Sequence, residues 1–313
     1  KQSTILSLLS VPLNFERMML KFKLQNFPVH VALFSAAFVT KSILGFSALV
    51  APESTPTQRR NVQSILDEMY GSSASEQWEQ RRSEARSFGV KDDCRSGEST
   101  PASSSFLENI PQHELVYGEL GLDALATILD AVGVEKGDNF MDIGAGDGML
   151  VTGASMLYSS HLESSEGVEI VPDLFHRSIY FQTELEREIE KKNRNAQDDN
   201  YDEASNIKLC PHTSFYLGNV YEPQKELQDK FAKTTLAVCF ATTWSRDSPG
   251  RKLNRLSEAL GQGGASELQV GARLVVIDGV LNYKKDGFQF EGELKLQCPD
   301  TAPYSIARLY KRI

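Results

Sequence analysis

The sequence predicts an α/β protein built on a doubly wound sheet, and three observations predict it. Apolar runs of strand length alternate with amphipathic stretches of helix length from residue 120 onward. A glycine-rich turn, Gly144-Ala145-Gly146-Asp147-Gly148, directly follows the first of those runs. The last two strand-like runs follow one another and read as an antiparallel pair.

Taken in order, the pattern predicts a helix over 120–132, a strand over 139–143, a helix over 149–158 and a strand over 166–171. A helix over 173–190 follows, then the charged run EREIEKKNRNAQDDNYDEAS at 185–204, which reads as a solvated helix end and loop. Beyond it come a strand over 213–218, a helix over 224–231, a strand over 234–241, a helix over 251–261 and a strand over 271–280. The closing strands fall near 287–297 and 304–311. The expected fold is therefore a doubly wound, Rossmann-like mixed seven-strand sheet with an antiparallel C-terminal strand pair.

The turn after the first strand carries the chemistry. Gly144, Gly146 and Gly148 permit a sharp reversal and let bare backbone N–H groups approach a ligand. Glycine loops of this kind also serve dinucleotides, or serve only as turns, so the glycines alone decide little. The charges separate the cases. Asp142 and Asp147 would set two carboxylates beside a pyrophosphate seated at the following helix and repel it. S-adenosylmethionine carries a sulfonium and an ammonium in place of phosphates, and the same carboxylates would attract both. One strand further on, in the run GVEIV, Glu169 stands where doubly wound sheets place the acid that takes a ribose diol. A solvated glutamate at a strand end is the plain alternative for that residue.

Composition bounds the rest. The chain has 313 residues, 41% hydrophobic and 24% charged, enough for one sizeable core and one appendage. A net charge of -9 gives no strong nucleic-acid signal, because nonspecific binding depends on clustered Lys and Arg at phosphates. Cys94, Cys210, Cys239 and Cys298 stand far apart with no metal-ligand spacing, so neither a zinc site nor a disulfide framework is expected. Cys239 reads as a small core residue. His176 and His212 read as surface or packing residues.

The N-terminus differs in kind. Lys21 and Lys23 precede apolar runs at 29–38 and 43–50, with Ser35-Ala36-Ala37 as a candidate cleavage site. Lys41 interrupts the apolar stretch, so a removable targeting signal, secretory or plastid-directed, or a loosely packed helix is expected over 1–50 in preference to a stable membrane span. From 51 to 105 the composition shifts to Ser, Thr, Pro, Glu and Arg and reads as a partly disordered polar linker. Within it Val62, Ile65, Leu66 and Met69 fall at amphipathic-helix spacing. The catalytic domain is expected over 106–313.

Over about its last two hundred residues the chain resembles the class I S-adenosylmethionine-dependent methyltransferases. The segment VYGEL at 116–120, ahead of DIGAGDG and GVEIV, is similar to the histone lysine methyltransferases of the disruptor-of-telomeric-silencing type, which lack a SET domain. The resemblance implies that Tyr117 and Glu119 close over the methyl donor. It implies that Asp142, Gly144, Ala145, Gly146, Asp147 and Gly148 hold the amino-acid part of the donor, and that Glu169 holds its ribose. Asn219 and Val220 stand where the family places an acid near the adenine, and an asparagine amide can serve the same edge. After the fourth strand the family has asparagines before an aromatic. Here the residues are Thr242, Thr243 and Trp244, the candidates for the transfer channel.

Transfer from a sulfonium to an amine is an in-line displacement that positioning can accelerate. A lysine acceptor must be neutral, and at a reference pKa near 10.4 roughly one in two thousand is neutral at pH 7, so a dry channel would help. The face of Trp244 could attract the cation, with the hydroxyls of Thr242 and Thr243 orienting the amine. Trp244 as a simple core cap is the other reading. The expected function is N-methylation of a lysine on a protein substrate. Small-molecule or RNA methylation, or a noncatalytic domain that keeps the fold, are the alternatives.

Overall fold

The structure is a computed structural model that describes residues 54–72, most of 76–84, 120–198, 207–241, 252–298 and 301–313. The expected targeting segment, 1–50, lies outside the described residues, as do Cys94 and the region carrying VYGE. Among the described residues, no helix is long and apolar enough to cross a membrane.

The elements run α1 (Pro56–Tyr70), α2 (Leu122–Val132), β1 (Asp138–Ile143), α3 (Met149–Leu157), β2 (Leu162–Glu169), α4 (Pro172–Asp198) and β3 (His212–Leu217). They continue with α5 (Lys225–Phe231), β4 (Leu236–Phe240), α6 (Asn254–Leu260), β5 (Arg273–Ile277), β6 (Phe288–Cys298) and β7 (Thr301–Arg312). The seven strands form one sheet in the order β3-β2-β1-β4-β5-β7-β6. The first five are parallel, and β7 pairs antiparallel with β5 on one side and β6 on the other. The expected doubly wound sheet with its antiparallel closing pair is the observed one.

The central strands are apolar on both faces because helices cover both. Phe140, Val238, Val275 and Ile277 enter one core with α1, α2 and α3, while Met141, Ile143, Ala237, Cys239, Leu274 and Val276 enter the other. Cys239 is fully buried, as expected, and burial pushes its thiol well above the usual range. His212 and His176 are exposed.

β2 and α4 depart furthest from their expected bounds, and each has a physical reason. β2 begins at Leu162 rather than 166, through the polar run Glu163-Ser164-Ser165-Glu166. Partners buried with these side chains replace apolar packing: the Ser164 hydroxyl donates to Asn139 Oδ1 at 2.9 Å and the Ser165 hydroxyl to Val151 O at 2.7 Å. Glu166 accepts from Lys230 Nζ at 2.6 Å. α4 continues to Asp198, where a solvated loop was expected. Oppositely charged pairs along its exposed face, Arg187 with Glu184 and Lys191 with Glu188, favour the helix.

The amphipathic helix expected within 51–105 is present. α1, capped by Thr55 with its side chain accepting from Gln58 N, buries Val62, Ile65, Leu66 and Tyr70 in the same core as α2 and α3. Gly153 of α3 lets this packing close: a Cβ there would lie 3.0 Å from Leu122 Cδ1 and 3.7 Å from Leu66 Cδ1. Lys192 of α4 pairs with Glu68, and Arg59 pairs with Asp130 of α2. The helix is therefore part of the folded domain.

Candidate cofactor site

β1 lies between β2 and β4, and the order in which strands are laid down reverses between these two neighbours. In doubly wound sheets the crevice outside the carboxyl ends of such strands takes the ligand. The turn Gly144–Gly148 occupies that crevice. Gly144 N and Ala145 N both donate to Val168 O, at 2.9 and 3.0 Å, which folds the turn across the end of β2.

The glycines answer to geometry. Gly144, Gly146 and Gly148 have φ of 84°, 57° and 92°, in the left-handed region where a side chain is strained. Gly148, the N-cap of α3, has a second constraint, since a Cβ there would lie 2.5 Å from Phe215 Cζ.

Glu169 closes the crevice from β2. Its Oε2 accepts from Gly146 N at 2.7 Å, and its Oε1 accepts from Ile170 N and Val171 N, each at 2.8 Å. The plain alternative of a solvated strand-end glutamate does not hold, because the residue is buried. Burial pushes its carboxyl up to about 7 against the opposing pull of the three N–H donors. Asp142, the penultimate residue of β1, is buried as well. Burial first, and then the charge of Glu169, push its carboxyl up to about 8.

Asp147 is engaged differently from the other acids. Its carboxylate pairs with Arg81, and the two side chains are 1% and 4% exposed. Arg81 Nε also donates to Tyr70 O at 2.9 Å, and the guanidinium lies over the Tyr70 ring, 5.3 Å from its centroid. The acidity of the loop therefore resides chiefly in Asp142 and Glu169, with Asp147 compensated.

Asn219 and Val220 arrive at the same end of the sheet. Gly218 N donates to Glu169 O at 2.9 Å, so the chain leaving β3 is tied to the ribose-acid candidate. Asn219 Oδ1 accepts from Tyr221 N at 2.9 Å, an Asx turn that fixes its amide, and Val220 O accepts from the Ser266 hydroxyl at 2.6 Å. The structure thus brings together Asp142, Gly144, Ala145, Gly146, Asp147, Gly148, Glu169, Asn219 and Val220. Tyr117, Glu119, Thr242, Thr243 and Trp244 lie outside the described residues. Ala241, the residue before Thr242 in the sequence, has its N–H bonded to Ile277 O at 3.1 Å.

Arg81 and Tyr70 escaped the sequence reading. Arg81 sits in EQRRSEAR, a run whose local pattern is that of a solvated surface, and no local signal marks one of its arginines as the partner of an acid 66 residues away.

The donor set suits S-adenosylmethionine: two buried acids for cationic groups and a diol, a turn open to backbone approach, and an amide near the third strand. Residues 100–220 match the family described as "Histone methylation protein DOT1". No curated protein matches the chain. Among solved structures, it is similar to an rRNA methyltransferase, aviRa from Streptomyces viridochromogenes, at 14% identity and a TM-score of 0.42, over 67% of this chain and 93% of that one. It is similar also to the magnesium protoporphyrin IX methyltransferase of Synechocystis PCC 6803 with bound SAM, at 12% identity and 0.39, over 84% and 100%. A SAM-dependent methyltransferase from Aquifex aeolicus matches at 11% and 0.37, over 60% and 89%. The matched residues 100–220 include those that build the loop, Glu169 and Asn219, so the similarity to that family falls on the candidate donor site.

Proposed function

We propose that the protein transfers a methyl group to the side-chain nitrogen of a lysine on another protein. The observation that carries this reading is the DOT1-family match over 100–220, which spans VYGEL, DIGAGDG and GVEIV in that order. The net charge of -9 is in keeping with it, since an acidic molecule draws in a lysine-bearing, basic acceptor and disfavours a polyanion.

When bound, the donor supplies an electrophilic sulfonium methyl. The chain's part is to bind, orient and exclude water. Glu169 holds the diol, Asp142 faces the cationic end, and Tyr117 and Glu119 close over both. Thr242, Thr243 and Trp244 form the channel by which the amine approaches, where desolvation favours its neutral form. No covalent intermediate on the protein is required.

The test is to incubate the full chain with donor labelled at the methyl group and, separately, protein extract, total RNA and a small-molecule extract. Label recovered as methyl-lysine after acid hydrolysis of protein supports the reading. Label confined to RNA or to small molecules overturns it.

A further inference from the structure

The strongest unassigned feature is the buried contact between the N-terminal segment and the turn after β1. We propose that Arg81 is a positioning residue of the cofactor site, through which the segment carrying α1 (Pro56–Tyr70) and Arg81 holds the Gly144–Gly148 turn in its donor-binding shape. The proposal rests on the reading of that turn as the methyl-donor site.

The turn is held from two sides. From β2, Glu169 accepts the Gly146 N–H; from the N-terminal segment, Arg81 grips the Asp147 carboxylate one residue further on. At and just after these anchors the backbone takes left-handed φ at Gly146 and Gly148, a conformation glycine adopts about as readily as its mirror, so the anchors select the shape of the turn. Arg81 is itself held by the carbonyl and ring of Tyr70, and Tyr70 stacks on Phe181 of α4 at 4.4 Å between ring centroids. On the same segment Glu84 accepts from Arg177 of α4 at 3.0 Å. A line of contacts thus runs from α4 through Tyr70 and Arg81 into the turn.

Loss of the guanidinium would remove the Arg81 side of a buried ion pair and leave the Asp147 carboxylate in place. Removing one charge of a buried pair is costlier than losing both together, because the remaining charge loses attraction without recovering its hydration. The turn's cheapest escape is to swing Asp147 toward solvent, which pulls the Gly146 N–H off Glu169 and spoils the donor pocket. Coupling of this kind is reciprocal: if the segment shapes the pocket, a bound donor must steady the segment.

The experiment uses the full chain and S-adenosylmethionine in calorimetric titration, at a temperature well below every variant's unfolding transition. Arg81→Met is expected to weaken donor affinity at least tenfold, Arg81→Lys by less, and Arg81→Met with Asp147→Asn to recover most of the loss. Equal affinity for the unaltered chain and Arg81→Met, with only a lowered Tm, overturns the proposal and leaves the pair a structural tie. Should Arg81→Met not fold, amide hydrogen exchange on the unaltered chain decides. Slower exchange between Tyr70 and Glu84 when donor is added supports the coupling, and unchanged exchange there overturns it. Failure of the unaltered chain to bind the donor at all removes the donor reading and this proposal with it.

Discussion

Lowering the pH from 7 to 6 should weaken donor binding about fivefold, to about elevenfold below its high-pH plateau, by protonation of Glu169, whose carboxyl is pushed up to about 7. A ligand that needs the carboxylate sees its Kd multiplied by one plus the ratio of protonated to ionised acid. That factor is about 2 at pH 7, about 11 at pH 6 and about 33 at pH 5.5. The slope is one decade per pH unit if Glu169 alone gives up a proton on binding, and steeper if the cation also draws the proton from Asp142. The useful window lies below pH 7, because the donor's own amino group titrates near 8. Stability of the ligand-free protein should run the opposite way. Here the folded-state pKa exceeds the unfolded 4.5, so the folded chain holds the extra proton. Its stability is therefore intact below about 4.5 and falls as pH rises toward about 7, by about 3 kcal/mol for the full shift. Calorimetry in buffers of different ionisation enthalpy measures both the affinity and the protons released. An affinity flat from pH 5.5 to 7, with a binding enthalpy independent of buffer, would refute the reasoning. Glu169→Gln should abolish the pH dependence while weakening affinity by about 1.5 to 3 kcal/mol, the usual worth of a charge-assisted bond.

Other perturbations test other parts of the structure. Gly146→Arg should abolish donor binding while the far-ultraviolet circular dichroism stays unchanged; retained affinity would detach the turn from the site. Trp244→Ala should reduce turnover on a protein acceptor far more than it reduces donor affinity, whereas equal losses with a lower Tm would make Trp244 a core cap. Leu66→Ala should cost about 2 to 4 kcal/mol of unfolding free energy in urea, as buried leucines do, and a loss below about 0.5 kcal/mol would contradict the packing of α1.

The parts of this molecule that could be read from its sequence are those governed by local rules. β4 is a continuous apolar run because both its faces are covered, and the turn between β1 and α3 announces itself through glycines whose positive φ the structure displays. Glu169 was legible as an acid at the end of the strand that follows the glycine turn, while its burial and its backbone donors were not. What escaped were residues whose meaning comes from far along the chain. Ser164 and Ser165 read as loop until Asn139 and Val151 are seen to satisfy them. Asp147 reads as half of a pair of ligand-facing carboxylates until Arg81, from a stretch with the composition of a linker, is seen to neutralise it.

The burial of α1 bears on how the protein can be handled. A fragment cut at residue 106, the natural choice from composition, would strip Val62, Ile65, Leu66 and Tyr70 from their places against α2 and α3 and present Leu122, Leu125 and the groove at Gly153 to water. Such a contiguous apolar face drives self-association. Precipitation of the trimmed domain would then report a surface made by the cut and would say nothing about its capacity to bind a methyl donor, so expression should start ahead of Ser54.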